Sequence, residues 1–406
     1  MQGHRNQTVG RAFGRVGRSL PILLLAAVLA LVLAACDIAP PTTGDGDEQA
    51  PATPETPSVS EPQTDEEPEP EEAASEPEGD GASEPADDAP ADPDPQPPTG
   101  EEGTLRATVA GSGIEVGTAV PVGPLLSESD FAGEAARQFS SVTAENEMKP
   151  DALHPSRDTY NFSTADSLME WAQANDMKVR GHTLVWHAQN PGWLTAGGFG
   201  DDELREILRD HVTQIVGHFE GRVYEWDVAN EVLDEQGQLR SESPWAQLGE
   251  EYLDIAFEAA RAADPDAKLF INDYNIDGIS TKSDAYYEMI QGMLERGVPI
   301  DGIGFQAHLS TDFAPEMTEN LQRFKDLGLE VAVTELDVGA PAGQEQAQAE
   351  VYGNVAQSCV TVGCSSFTVW GFTDRHTWRG DDNATVMTED LQPKPAFETL
   401  LQTLSG

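Results

Sequence analysis

A closed parallel (β/α)8 barrel is the fold this sequence predicts, on three observations. Short apolar runs alternate eight times with longer stretches of helical period, the rhythm of strand and crossover helix. Roughly 300 residues carry the pattern, which suits one large α/β domain. The rival, a doubly wound open sheet, usually has fewer strands and a phosphate-binding turn. None of the early strand-to-helix joints reads G-x-G-x-x-G, and no P-loop pattern occurs.

In chain order the runs are IEVGTAV (114–120), SSVTAEN (140–146), KVRGHTLVWH (178–187) and RVYEWDVANE (222–231). They continue with KLFINDY (268–274), IDGIGFQAHL (300–309), LEVAVTELDV (329–338) and SSFTVWGFTD (365–374). Each has the length and apolar content of a buried strand. Between them lie amphipathic stretches such as DDELREILRDHVTQIVGHF and WAQLGEEYLDIAFEAARAA, read as the outer helices.

The barrel is assigned to residues 104–406, and what precedes it does not read as fold. Residues 1–19 carry Arg5, Arg11, Arg15 and Arg18 and no acid, and LPILLLAAVLALVLAA follows, ending at Cys36. This is the order of a secretory signal, 1–35, and the apolar core is short for a bilayer span of about 20 residues. The letters LAAC look like a bacterial lipobox, which would make Cys36 a lipidated first residue; an uncleaved membrane anchor is the alternative. Either reading exports the chain. Residues 37–103 contain 22 Asp and Glu, 15 Pro and no Lys or Arg. Too little apolar surface offsets the ordering entropy there, so the tract reads as a disordered, self-repelling stalk.

From residue 104 onward 50 acids face 19 bases, which argues against nucleic acid or anionic lipid as a partner of the barrel. A monomer is expected. Cys359 and Cys364 lie five apart in an exported chain. A local disulfide is expected, because no further Cys or His accompanies them at zinc-like spacing.

Polar residues collect at the C-terminal ends of seven runs: Glu145 and Asn146, His182 and Trp186, Asn230 and Glu231, Asn272 and Asp273. Gln306 and His308, Glu335 and Asp337, and Trp370 complete the series. Strand-end capping explains any one of them. Seven in phase point to the face where active sites of such barrels sit. Carboxylates in a barrel mouth are costly without partners or a task. A metal site built from His182, His187, His308, Glu335 and Asp337 is disfavoured, since there is no H-x-H or H-E-x-x-H. His182 and His187 are also an odd number apart, so an extended strand would send them to opposite faces. The other task is glycoside hydrolysis, with one carboxyl protonating the leaving oxygen and the other attacking the anomeric carbon or activating water. A gap of about 5–5.5 Å between them would give retention of configuration. Trp186, Trp193, Trp370 and Trp378 offer flat faces for pyranose rings, and Asn146, Lys149, Gln189, Asn230, Asn272 and Gln306 offer donors for hydroxyls.

AENEMK (144–149), RGHTLVWHAQNP (180–191), WDVANE (226–231), NDYN (272–275), IDGIGFQAH (300–308), TELDV (334–338), VWGFTD (369–374) and KPAF (394–397) occur in order. In these the stretch 105–406 resembles glycoside hydrolase family 10, the endo-β-1,4-xylanase family of retaining (β/α)8 barrels. The resemblance implies xylan as substrate and no cofactor or metal. It makes Glu231 the acid/base, Glu335 the nucleophile and Asn230 the partner of the sugar 2-hydroxyl. His308 would bond Glu335, with Asp337 behind it. Glu145, Asn146, Lys149, His182, Trp186 and Gln189 would line the glycone side, Trp370 would floor the cleft and Trp378 would lean over it. Asp227, Asn272 and Gln306 look like cleft or supporting residues. The five-residue spacing of Cys359 and Cys364 also resembles a disulfide of some members. Two departures stand out: Pro150 where Trp often follows NEMK, and RGDDNATVMTED after Trp378, a loose match to the usual lid.

Overall fold

Residues 101–405 are described by a computed structural model. The leader, Cys36 and residues 37–100 of the acidic tract lie outside the described residues.

The strands are β1 (Glu115–Val120), β2 (Ser141–Ala144), β3 (Lys178–Val185), β4 (Val223–Asn230) and β5 (Lys268–Asp273). They continue with β6 (Gly302–Phe305), β7 (His308–Ser310), β8 (Glu330–Gly339) and β9 (Ser366–Val369). β1 to β6 pair in parallel in sequence order; β6 then pairs with β8, β8 with β9, and β9 with β1. That ring closes an eight-staved barrel and leaves it no open edge.

The stretch 300–309, expected as one strand, is two. Ala307 takes a left-handed backbone, φ 59°, and ends the barrel strand. Its N–H donates to the Asp277 carboxylate at 3.0 Å. The chain then resumes as β7, a rim strand paired with the far end of β8 through His308 and Asp337.

Between the strands and the outer helices the packing is tight. A Cβ on Gly181 would come within 2.2 Å of the Trp226 ring, so glycine there makes room for a fully buried indole beside Phe219, at the end of helix Asp201–His218. Outside, helix Asp201–His218 buries Leu204, Leu208, Val212 and Ile215 on one face and opens with Asp201, Asp202 and Glu203, which complement its dipole. Helix Glu345–Val362 stops at left-handed Gly363, and a Cys359–Cys364 disulfide staples its end just before β9. Among the described residues no helix is long and apolar enough to cross a membrane.

Candidate active site

The C-terminal strand ends surround a cleft of about 420 Å³. Glu231 and Glu335 both line it, from β4 and β8. In an extended strand Asn230 and Glu231 would point to opposite faces. The strand stops at Asn230, and Glu231 turns left-handed, φ 53°, with its N–H held by the Asn272 carbonyl at 2.8 Å. That turn lets amide and acid line the same cleft, at a cost of about 1–3 kcal/mol for a non-glycine residue.

Hydrogen bonds join the two acids through amides. Gln306 Nε2 donates to Glu231 Oε1 at 3.1 Å and to Asn230 Oδ1 at 3.2 Å. Asn272 Nδ2 donates to Asn230 Oδ1 at 2.9 Å and to Glu335 Oε1 at 2.7 Å. Glu231 Oε2 accepts from Trp186 Nε1 at 2.9 Å, and His187 Nδ1 lies 3.7 Å from it.

Glu335 is 4 % exposed. Burial alone would push its carboxyl up, but His182, the hydrogen bond and charge of His308, and Arg180 outweigh burial and bring it down to about 2. His308 Nε2 sits 3.2 Å from Glu335 Oε2, and its Nδ1 makes an ion-pair contact with Asp337 Oδ2 at 3.0 Å. Burial works against a charged ring, yet the two carboxylates push His308 up to about 10. A raised histidine pKa stabilises the fold below its unfolded value, near 6.5, and that contribution is lost as pH rises through 10. We therefore expect the stability difference between wild type and His308→Asn to shrink steadily from pH 6.5 to 10. Denaturant midpoints across that range would reveal a flat difference if the expectation is wrong.

Beneath Glu335 runs a chain of buried charges. His182 Nδ1 lies 2.7 Å from Asp227 Oδ2, Arg180 pairs with the other Asp227 oxygen, and Arg180 Nε donates to Glu225 at 2.9 Å. Burial pushes Glu225 up to about 7 despite Arg180 beside it. Arg180→Met would strand two acids in the barrel centre and should cost about 3–5 kcal/mol, read as a lowered urea midpoint. An unchanged midpoint would contradict the pairing.

On one side of the cleft Lys149 Nζ donates to Gln189 Oε1 at 2.9 Å and Asn146 Oδ1 at 3.1 Å, and lies 5.0 Å from the Trp186 ring. Glu145 lines the same wall, its carboxyl pushed up by burial. Trp370, buried, and Trp378, exposed, complete the lining.

A family model described as glycosyl hydrolase family 10 matches residues 104–403. The chain belongs to glycosyl hydrolase family 10. It is 43 % identical over 278 residues to endo-1,4-beta-xylanase B of Thermotoga neapolitana, an alignment covering 65 % of this chain and 80 % of that one. An endo-1,4-beta-xylanase of Agaricus bisporus is 39 % identical over 291 residues, covering 68 % of this chain and 87 % of that one. Among solved structures, xylanase 10B of Thermotoga petrophila RKU-1 in complex with xylobiose superposes with TM-score 0.72 and 37 % identity, covering 75 % of this chain and 98 % of that one.

Within this family 10 barrel most of the predicted residues meet in the cleft; Asn272, Asp227 and Asp337 lie buried beneath or behind it, reaching it through partners. Trp193 does not line it. Its indole N–H donates to the His154 carbonyl at 3.0 Å, and its ring packs against the core, so it is no sugar platform. His187, expected on the face opposite His182, instead approaches Glu231. β3 ends at Val185, so strand alternation does not extend to His187. Tyr274 and Asn275 line the cleft and went unassigned, although NDYN carried them to a strand end. Arg379 was also missed; its Nη1 donates to Asp337 Oδ1 at 2.9 Å.

Proposed function

We propose that this chain is an endo-1,4-β-xylanase that cuts internal β-1,4-xylosidic bonds with retention of configuration. The observation that carries the reading is a pair of carboxylates in one cleft with different surroundings. Glu335 is buried among His308, His182 and Asn272, and its charge is strongly favoured. Glu231 stands at the rim with an indole and an amide as donors.

In the first half-reaction a Glu335 oxygen attacks the anomeric carbon as the glycosidic bond breaks, and Glu231 gives its proton to the leaving oxygen. Attack consumes the negative charge on Glu335, which frees Glu231 to act as a base. Water then loses a proton to Glu231, adds to the same carbon and expels Glu335. Asn230 bonds the 2-hydroxyl of the sugar at that carbon, and His308 with Asp337 keeps Glu335 oriented. Glu145, Asn146, Lys149, His182, Trp186 and Gln189 take the glycone, Gln306 steadies Glu231, and Trp370 and Trp378 pack on sugar faces. This route needs no cofactor.

The leader and stalk complete the proposal: export, lipidation at Cys36, and residues 37–103 holding a monomeric barrel off the membrane. Incubation with arabinoxylan tests the activity. Early products should be mixed oligomers carrying β-anomers, seen by chromatography and proton NMR. Xylose as the sole early product would replace the reading with an exo-acting xylosidase, and α-anomers would remove the double displacement.

A further inference from the structure

Asp337 is fully buried, and a carboxylate in that position has to be shared among donors. Its Oδ1 accepts from Arg379 Nη1 at 2.9 Å, and its Oδ2 accepts from Trp378 Nε1 at 2.7 Å while facing His308 Nδ1 at 3.0 Å. Arg379 is fastened at two further points, donating from Nη1 to the Leu309 carbonyl at 3.4 Å and from Nε to Asp382 Oδ2 at 3.2 Å. Its side chain is only 17 % exposed.

Room for that guanidinium comes from the backbone. Gly339 stands two residues beyond Asp337 on β8, and a Cβ there would lie 2.3 Å from Arg379 Nη2. Any other residue at 339 would displace the guanidinium. The backbone of Gly339 is not in the left-handed region, so space, rather than conformation, is what glycine supplies here.

We propose that Arg379 is a positioning residue for Glu335, acting through Asp337 and His308, and that Gly339 is the seat that admits it. The inference rests on Glu335 being the nucleophile. Arg379 supplies a permanent cation to one oxygen of Asp337 and leaves the other to Trp378 and His308. Without it, the buried charge of Asp337 would be balanced by His308 alone. The imidazole would be drawn toward Asp337 and away from Glu335, and Trp378 would lose the neighbour that anchors its loop. One guanidinium thus ties the indole over the cleft to the orientation of the attacking carboxylate.

The charged groups facing His308 are Glu335 and Asp337 on β8, Asp277 behind β7, and Arg379; His182 and Lys149 lie beyond Glu335. Removing the cation beside Asp337 should strengthen its hold on the imidazolium proton. In Arg379→Met the His308 titration, followed by nitrogen-15 NMR of the ring, should move upward by about one pH unit. On xylo-oligosaccharides kcat should fall about tenfold, with a smaller change in KM. Gly339→Ala should reproduce both effects, and the double variant should be no worse than either single one. Arg379→Lys keeps the charge and should recover most of kcat.

A His308 titration unmoved or lowered in a folded Arg379→Met, or losses that multiply in the double variant, would overturn the proposal. The NMR titration needs no turnover. Failure of the nucleophile assignment would show separately, as activity surviving in Glu335→Ala.

Discussion

Glu335→Ala should abolish turnover on every substrate, polymer or activated aryl xyloside alike, by a factor on the order of 10⁵ or more. Both half-reactions pass through this carboxylate, so no leaving group can compensate for its loss. The surrounding donors make the effect more severe. Asn272, His308 and His182 are arranged to stabilise a negative charge, and alanine would leave them facing empty space. A small anion such as azide or formate can occupy that space. With an aryl xyloside it should restore turnover and deliver an α-linked product, because it would attack from the face Glu335 used. Initial rates with and without azide, and NMR of the product anomer, decide the point. Residual activity on xylan without added anion, or a β-product with it, would assign the attack elsewhere.

The second large effect belongs to Glu231, and here the leaving group matters. Glu231→Ala should lower kcat on xylan by about 10²–10⁴, the range of a lost general acid. Xylosides whose leaving group needs no proton should keep a fast first step. Their second step should slow, because the attacking water has lost its base, and a burst of released phenol should precede a slow steady state. Equal loss on polymer and on activated aryl glycoside, with no burst, would mean that the acid/base has been misidentified.

Much of this site could be read before any coordinates, because strand ends in a closed barrel converge by geometry. Asn230, Glu231, Gln306, His308 and Glu335 sit at ends of runs whose apolar content already marked them as strands, so their meeting was implied by closure. What escaped depends on local backbone or on contacts between distant residues. Ala307 adopts a left-handed backbone that no residue type announces, and it splits one expected strand into two. His187 reaches Glu231 because β3 ends sooner than the apolar pattern suggests. Arg379 joins Asp337 across 42 residues, from a segment that matched the family pattern only loosely. Trp193 shows the reverse error. An indole is equally suited to a sugar face and to a core, and only the carbonyl of His154 settles which use it serves here.

The tripeptide Gln306–Ala307–His308 has a bearing on how this enzyme can be altered. Its first residue touches one working carboxylate, its third touches the other, and the N–H between them hangs on Asp277. A change at Asp277 would therefore disturb protonation of the departing sugar and attack on the anomeric carbon of the sugar that stays, both together. Directed evolution that aims to retune one carboxylate without the other will find fewer neutral routes through this corner than through Trp186, which bonds Glu231 alone of the two.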